Sequence, residues 1–154
     1  MSDLSPDAEA LERGGPGDRD AASASVRGLH HVRVPVSDVL ASRDWYMEVL
    51  GFEPMLDYEE EDRVVGVALE HPAGLTLGLH LAPGRVGALK GFAVVALAVS
   101  GRDDLEQWAA RLDALGVEHS GLEAGHLGWS LDVPDPDGIL VQLHTAGEPT
   151  ADDA

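Results

Sequence analysis

The stretch Gly138-Ile139-Leu140-Val141-Gln142-Leu143-His144-Thr145-Ala146 matches an earlier one, Gly74-Leu75-Thr76-Leu77-Gly78-Leu79-His80-Leu81-Ala82, without a gap. Both begin with glycine after a turn that contains proline, and both carry aliphatic residues at alternate positions. A period of two is typical of a β-strand whose two faces have different surroundings. Because the strand recurs after about half of the folded chain, the sequence predicts an internal duplication into two similar modules.

Composition limits the class of protein. The chain has 154 residues, which suits one domain or two small modules that share a core. Its formal net charge of -18, from 28 acidic and 10 basic residues, predicts no nucleic-acid partner and no membrane partner. The absence of cysteine excludes disulfides and thiolate metal sites. There is no apolar run of transmembrane length and no secretory signal, so a cytoplasmic location is expected.

The order of strands and helices repeats along the chain. We predict a disordered acidic tail at 1-27, a folded region at 28-147 and a short tail at 148-154. The folded region divides into module one (28-82), a linker (83-91) and module two (92-147). Each module is predicted to run strand, helix, strand, strand, strand. In module one the acidic run 57–62 is predicted to be a solvated loop, and in module two the last three extended stretches are expected at 117–119, 128–133 and 139–145.

Alternation assigns each strand residue to one of two faces. The residues assigned to the face under the helices are all aliphatic: Val32, Val34, Val36, Leu75, Leu77, Leu79, Val95, Leu97, Val99, Ile139, Val141 and Leu143. Those assigned to the opposite face are His31, Arg33, Thr76, Gly78, His80, Val94, Ala96, Ala98, Leu140, Gln142 and His144. Three histidines, an arginine and a glutamine gather on the face that no helix covers. We therefore expect this face to line a concave cup.

Several short motifs carry a resemblance to a known family. They are Leu29-His30-His31-Val32, Val36-Ser37-Asp38, Ser42-Arg43-Asp44-Trp45-Tyr46, Val49-Leu50-Gly51-Phe52 and Asp135-Pro136-Asp137-Gly138. From about residue 28 to 145 the chain resembles the vicinal oxygen chelate superfamily, which comprises glyoxalases, bleomycin resistance proteins and extradiol dioxygenases. The resemblance implies an α+β fold of two βαβββ modules that form a curved mixed sheet around a concave cup, with the helices on the outer face. It also implies a homodimer.

The resemblance further implies a divalent metal held by the first and last strands of each module. The corresponding positions here are His31, Gly78, Val94 and Gln142, of which only His31 and Gln142 have donor side chains. A site displaced along the strands uses His31, Gln142 and His144, or His80 in place of His144. Such a set suits zinc, iron, nickel or manganese. The alternative is that no metal is bound and the histidines contact an organic ligand.

Other residues are candidates for ligand binding. Arg33 either clamps a carboxylate or phosphate of the ligand or forms a salt bridge within the sheet. Thr76 and Val94 are assigned to the uncovered face. Trp129 and His126 either line the cup or belong to the core and the rim. His80 and His144 are the candidate acid and base groups, because histidine titrates near neutral pH.

Two classes of function follow from this pattern. The first is a small-molecule-binding protein that holds an organic ligand in the cup between its modules. The alternative is a divalent-metal-dependent enzyme of the isomerase, lyase, epimerase or dioxygenase type with an altered site of histidine and glutamine ligands. Metal-free acid-base catalysis by His80 and His144 is a further possibility within the enzyme class.

Overall fold

The structure, a computed structural model, describes residues 24–146. The chain divides into two units, with the boundary between His30 and His31. In the first unit, residues 24–30 are exposed and contain neither helix nor strand. Most of the tail predicted over 1-27, and the whole of the tail predicted over 148-154, lie outside the described residues.

The second unit contains the strands and helices of both modules. Module one consists of β1 (Val32–Val36), α1 (Val39–Leu50), β2 (Glu53–Glu60), β3 (Arg63–His71) and β4 (Leu75–Leu81). Helix α2 (Pro83–Leu89) follows. Module two consists of β5 (Ala93–Ala98), α3 (Arg102–Leu115), β6 (Glu123–Gly125), β7 (Gly128–Pro134) and β8 (Leu140–His144). The repeated βαβββ order and the α+β class are therefore confirmed.

Three segments differ from the sequence-based expectation. Most of the predicted linker, 83–89, forms helix α2, since proline is well tolerated at the first helical position. The acidic run is not a loop, because β2 extends through residue 60 and only Glu61 and Asp62 form the turn, both with positive φ. The extended stretch expected at 117–119 is not a strand, and β6 instead begins at Glu123.

Each module forms its own four-stranded mixed sheet. The strand order is β1-β4-β3-β2 in sheet one and β5-β8-β7-β6 in sheet two. In both sheets the first and last strands of the module are parallel neighbours, and the other pairs are antiparallel. The two modules thus contribute two four-stranded mixed sheets within the described part of the chain. Strands β1 and β5 each lie at an outer edge of their own sheet.

The core lies on the helix-covered faces, as alternation predicts. Val34, Leu77, Val141 and Leu143 are at most 1% exposed and pack in one cluster with the buried residues of α1 and α3. Burying such a side chain stabilises the fold by about 1.5–3 kcal/mol. Helix α1 is bounded by local signals: the Asp38 side chain accepts a hydrogen bond from its first turn, and a left-handed glycine ends it.

The modules are joined on this helix side. Tyr46 of α1 donates a hydrogen bond to Asp135, which lies just after β7, at 2.8 Å. The backbone N–H of Ser37 donates to Asp137 at 3.0 Å. Arg111 of α3 donates to the carbonyl oxygen of Glu48 at 3.0 Å. These contacts hold the two helix-covered faces together. Among the helices of residues 24–146, none has the length and apolar character that a membrane span requires.

Candidate functional site

We define the polar face of module one as His31, Arg33, Thr76, Gly78 and His80. The side chain of Arg33 extends across this face. The strand register places Arg33 of β1 opposite Gly78 of β4. A Cβ atom at Gly78 would lie 3.7 Å from Arg33 Cγ and 3.8 Å from His31 Cδ2, so both side chains flank the bare glycine. The Nη2 atom of Arg33 is 3.5 Å from Nδ1 of His80. The structure therefore brings three predicted site residues together on this face.

Tyr58 contributes an aromatic ring that the sequence analysis missed. Tyr58 of β2 pairs with Gly66 of β3, which in turn pairs with His80 of β4. A Cβ atom at Gly66 would lie 3.6 Å from Tyr58 Cδ2 and 3.7 Å from His80 Nδ1. The two rings thus approach one another over the glycine backbone. Tyr58 is 53% exposed, so its ring is accessible to a ligand.

The polar face of module two, which we define as Ser130, Asp132, Gln142 and His144, contains a carboxylate that the sequence analysis also missed. Ser130 pairs with His144, and Asp132 pairs with Gln142, across β7 and β8. The Nε2 atom of Gln142 donates to Oδ1 of Asp132 at 3.0 Å. This bond fixes the orientation of the amide and leaves Oε1 of Gln142 as an acceptor.

The carbonyl oxygen of the neighbouring Thr145 sets the tautomer of His144. Its Nδ1 atom is hydrogen-bonded to the carbonyl oxygen of Thr145. Because a carbonyl oxygen can only accept, Nδ1 carries the proton, and Nε2 is the acceptor in the neutral ring. An imidazole in this form can take a proton or accept a hydrogen bond through Nε2. Nε2 of His144 is therefore left to accept a hydrogen bond from a ligand.

Three other predicted site residues lie apart from the polar faces. Trp129 packs against the core, and the guanidinium carbon of Arg102 lies 4.5 Å from its ring centroid. Val94 lies at a register shift in β5 and also packs against the core. His126 is exposed in the turn between β6 and β7. The structure does not bring these three residues together with Arg33 and His80.

Each module has a cleft beside its polar face. In module one a cleft of about 600 Å³ is lined by Arg33, Pro35 and His80, together with residues of α2. In module two a cleft of about 610 Å³ is lined by Asp132 and other residues of β7 and β8, together with the segment after α3.

The buried pair of Tyr46 and Asp135 belongs to the module junction. Burial raises the pKa of Tyr46 well above its usual value, and the neighbouring Asp135 carboxylate adds to the effect. Burial also raises the pKa of Asp135, although hydrogen bonds from Tyr46 and from the backbone N–H groups of Asp137 and Ile139 oppose the shift. Both groups lie on the helix side, so their shifts concern stability rather than ligand chemistry.

Comparison with models of protein families shows the family to which this chain belongs. A model of the Glyoxalase/Bleomycin resistance protein/Dioxygenase superfamily matches residues 28–143, which is most of the chain. The chain belongs to this superfamily. The earlier resemblance is thereby confirmed, and the two βαβββ modules are those of the glyoxalase superfamily. Comparison with curated proteins gives no match.

Solved structures of the glyoxalase superfamily share the fold. A glyoxylase/bleomycin resistance protein/dioxygenase domain from a Frankia species has 22% identity and a TM-score of 0.64, covering 82% of this chain and 96% of its own. TnmS3, an antibiotic binding protein from a Streptomyces species, has 26% identity and a TM-score of 0.65, covering 80% and 99%. A variant of the fosfomycin resistance protein FosX from Listeria monocytogenes, in complex with Mn(II) and 1S,2S-dihydroxypropylphosphonic acid, has 18% identity and a TM-score of 0.63, covering 84% and 97%.

The metal that the glyoxalase superfamily implies does not fit the side chains of a single chain. Among the described residues, no group of three or more histidine, aspartate and glutamate side chains is placed to hold a metal ion. His31 lies before β1, whereas Gln142 and His144 lie in β8 of the other sheet. The amide of Gln142 is bonded to Asp132, and Gly78 offers no donor atom. These donors do not form the three- or four-ligand set that a divalent transition metal needs.

Proposed function

We propose that this protein binds a small organic molecule in a cup formed by the polar faces of its two modules. One observation carries the proposal: the helix-covered faces are filled with aliphatic side chains, whereas the opposite faces carry Arg33, His80, Gln142 and His144. A few convergent polar groups beside an apolar surface are typical of ligand sites. TnmS3, an antibiotic binding protein with 26% identity, supports an organic ligand.

In this proposal the cup is completed in a homodimer, by the polar face of module one from one protomer and the polar face of module two from its partner. Two features support a partner copy. The two sheets are separate in one chain, and β1 and β5 each present an outer edge. In addition, the large apolar side chains of Met55, Leu56 and Phe92 are 56%, 52% and 61% exposed.

A divalent-metal-dependent enzyme of the isomerase, lyase, epimerase or dioxygenase type is the second candidate. It is favoured by the FosX variant that shares the fold and is in complex with Mn(II). It is also favoured by His31, Gln142 and the Nε2 acceptor of His144. We rank it second because Gly78 supplies no donor atom and the amide of Gln142 is already bonded to Asp132.

Blocking the cup tests the proposed function. Nile red, a neutral dye that fluoresces in apolar sites, serves as the probe for the intact protein. Gly78→Trp fills the polar face of module one, and Ala96→Trp fills that of module two, since exposed Ala96 pairs with Gln142. Ala110→Trp on the exposed side of α3 is the matched control. We expect saturable dye binding that is lost in both cup variants and retained in the control. Binding that survives both cup variants would place the ligand site elsewhere.

Metal analysis separates the two candidate functions. The purified protein is incubated with zinc, nickel, iron(II) and manganese(II), dialysed and analysed for bound metal, and dye binding is repeated with EDTA. We expect dye binding to be unaffected by EDTA. Tightly bound stoichiometric metal that is lost in both His31→Ala and His144→Ala would instead support the metal-dependent enzyme.

A further inference from the structure

Four arginines of this acidic protein, Arg27, Arg33, Arg63 and Arg85, form no ion pair with a carboxylate among the described residues. Arg43 and Arg102 form ion pairs with carboxylates, and Arg111 donates to backbone carbonyl oxygens. Arg33 contacts only a histidine ring, and Arg85 forms no ion pair within the described chain. Of these four arginines, Arg33 and Arg85 line the same cleft. Two such arginines at one cleft indicate a preference for an external anion.

Arg33 is positioned to present its guanidinium to the cleft of module one. The side chain extends over Gly78 and reaches His80, where a distance of 3.5 Å marks the outer limit of a hydrogen bond. A guanidinium has five N–H donors, so at least four remain for a ligand. Pro35, which pairs with His80, also lines the cleft and supplies no backbone donor that would compete.

The cleft itself combines positive charge with an apolar wall. Arg33, His80 and Arg85 line it together with Ala88 and Leu89 of α2. Guanidinium groups bind carboxylate and phosphonate oxygens through paired N–H donors. An apolar wall beside them favours an anion attached to a hydrocarbon body over a free inorganic ion. The net charge of -18 does not prevent this binding, since at physiological ionic strength charges beyond about 8 Å are screened.

We propose that the cleft of Arg33, His80 and Arg85 binds the oxyanion of an organic acid, a carboxylate or a phosphonate attached to an apolar body. The inference rests on the proposed function, since Arg33 and His80 belong to the polar face of module one. It goes beyond that function because it assigns a negative charge to the ligand and places the recognition of that charge on the polar face of module one.

Calorimetric titration of the full-length protein tests this assignment. The probes are naphthalene-2-carboxylate, naphthalene-2-phosphonate and the neutral naphthalene-2-carboxamide. We expect the two anions to bind at least tenfold more tightly than the amide, because charge-assisted bonds to arginine are lost with the amide. Arg33→Gln and Arg85→Gln should each weaken anion binding by about tenfold and change amide binding by less than about twofold. Arg63→Gln, which removes the same charge from an exposed position at the start of β3, is the matched control and should leave both unchanged.

The outcomes separate this inference from the proposed function. Equal affinity for anions and amide in a protein that still binds Nile red would overturn the inference and leave the cup intact. The inference also fails if neither anion saturates the protein, or if Arg63→Gln weakens anion binding as much as Arg33→Gln does. If the wild-type protein does not bind Nile red, the proposed function is itself wrong. Unchanged melting temperatures exclude misfolding as the cause of any loss.

Discussion

Asp135 is 5% exposed and accepts hydrogen bonds from Tyr46, from the backbone N–H of Asp137 and from the backbone N–H of Ile139. Burial raises its pKa, so the folded state disfavours the ionised form relative to the unfolded chain. This contribution to stability is complete below the unfolded pKa of about 3.9. It is lost as the pH rises through the raised folded pKa, and it is constant above that value.

Asp135→Asn removes this titration while keeping a side chain of the same shape. We expect the wild type to lose stability relative to the variant as the pH rises from about 3.9 through the folded pKa. Urea unfolding of both proteins at a series of pH values measures the difference. Asp57→Asn, at an exposed position of β2, is the matched control for the loss of one carboxylate. The opposite trend, with the wild type gaining stability as the pH rises, would mean that the hydrogen bonds outweigh the cost of burial.

The face on which each strand residue lies was predictable where strand alternation was used fully. Arg33, His80, Gln142 and His144 lie on the faces that alternation assigns to them. Asp132 was missed although it alternates with the buried Leu131 and Val133 of β7, so the signal was present. The same alternation groups Trp129 with Leu131 and Val133, which explains why it packs against the core.

Tyr58 was harder to predict as a strand residue because it lies in a run of acidic residues. It is followed directly by two glutamates and is preceded by an aspartate, a composition that favours a solvated loop. The run nevertheless pairs with β3, because one edge strand with both faces exposed tolerates charged side chains. A sequence alone does not reveal this pairing, which depends on the turn at Glu61 and Asp62.

Helix α3 stabilises helix α1 of the other module through Arg111. The Nη2 atom of Arg111 donates to the carbonyl oxygen of Glu48 at 3.0 Å. Its Nε atom donates to the carbonyl oxygen of Val49 at 3.5 Å. These carbonyls belong to the last turn of α1, where unpaired oxygens and the helix dipole favour a cation. The contact therefore links the two modules and completes the end of a helix.

Arg111→Ala should reduce the free energy of unfolding by about 1–2 kcal/mol, because it leaves terminal carbonyl oxygens without their charged donor. Urea denaturation with far-UV circular dichroism provides the measurement. Arg43→Ala is the matched control, since Arg43 pairs with the adjacent and exposed Asp44, and its loss should cost less than about 0.5 kcal/mol. Equal effects of the two substitutions would argue against a special role for the junction.

The order of strands and helices was predictable because an amphipathic pattern marks both long helices and a glycine ends each of them. Gly51 and Gly116 adopt left-handed conformations directly after α1 and α3, as the sequence indicates. Helix α2 was not predicted, because Gly84 and Gly87 lower its intrinsic helix propensity. In the structure, Val86 and Leu89 of α2 pack against the core, and this tertiary contact outweighs the local preference.

At the level of the whole molecule, duplication predicts two modules but does not say how their sheets meet. The modules are joined through Tyr46, Asp135, Ser37, Asp137 and Arg111 on the helix side. The polar faces remain on two separate sheets. A dimer that pairs unlike modules from two protomers would bring one face of each kind together, with two equivalent cups by symmetry.

Mixing the two cup variants tests this arrangement most directly. Gly78→Trp blocks module one, Ala96→Trp blocks module two, and neither homodimer should bind Nile red. After the two are unfolded together and refolded, the heterodimer contains one cup with both blocks and one cup with none. We predict that dye binding returns to about one quarter of the wild-type capacity, since half of the dimers are mixed and each has one open site of two. If the mixture binds no more dye than the separate variants while forming dimers, each cup lies within one chain and the account is contradicted.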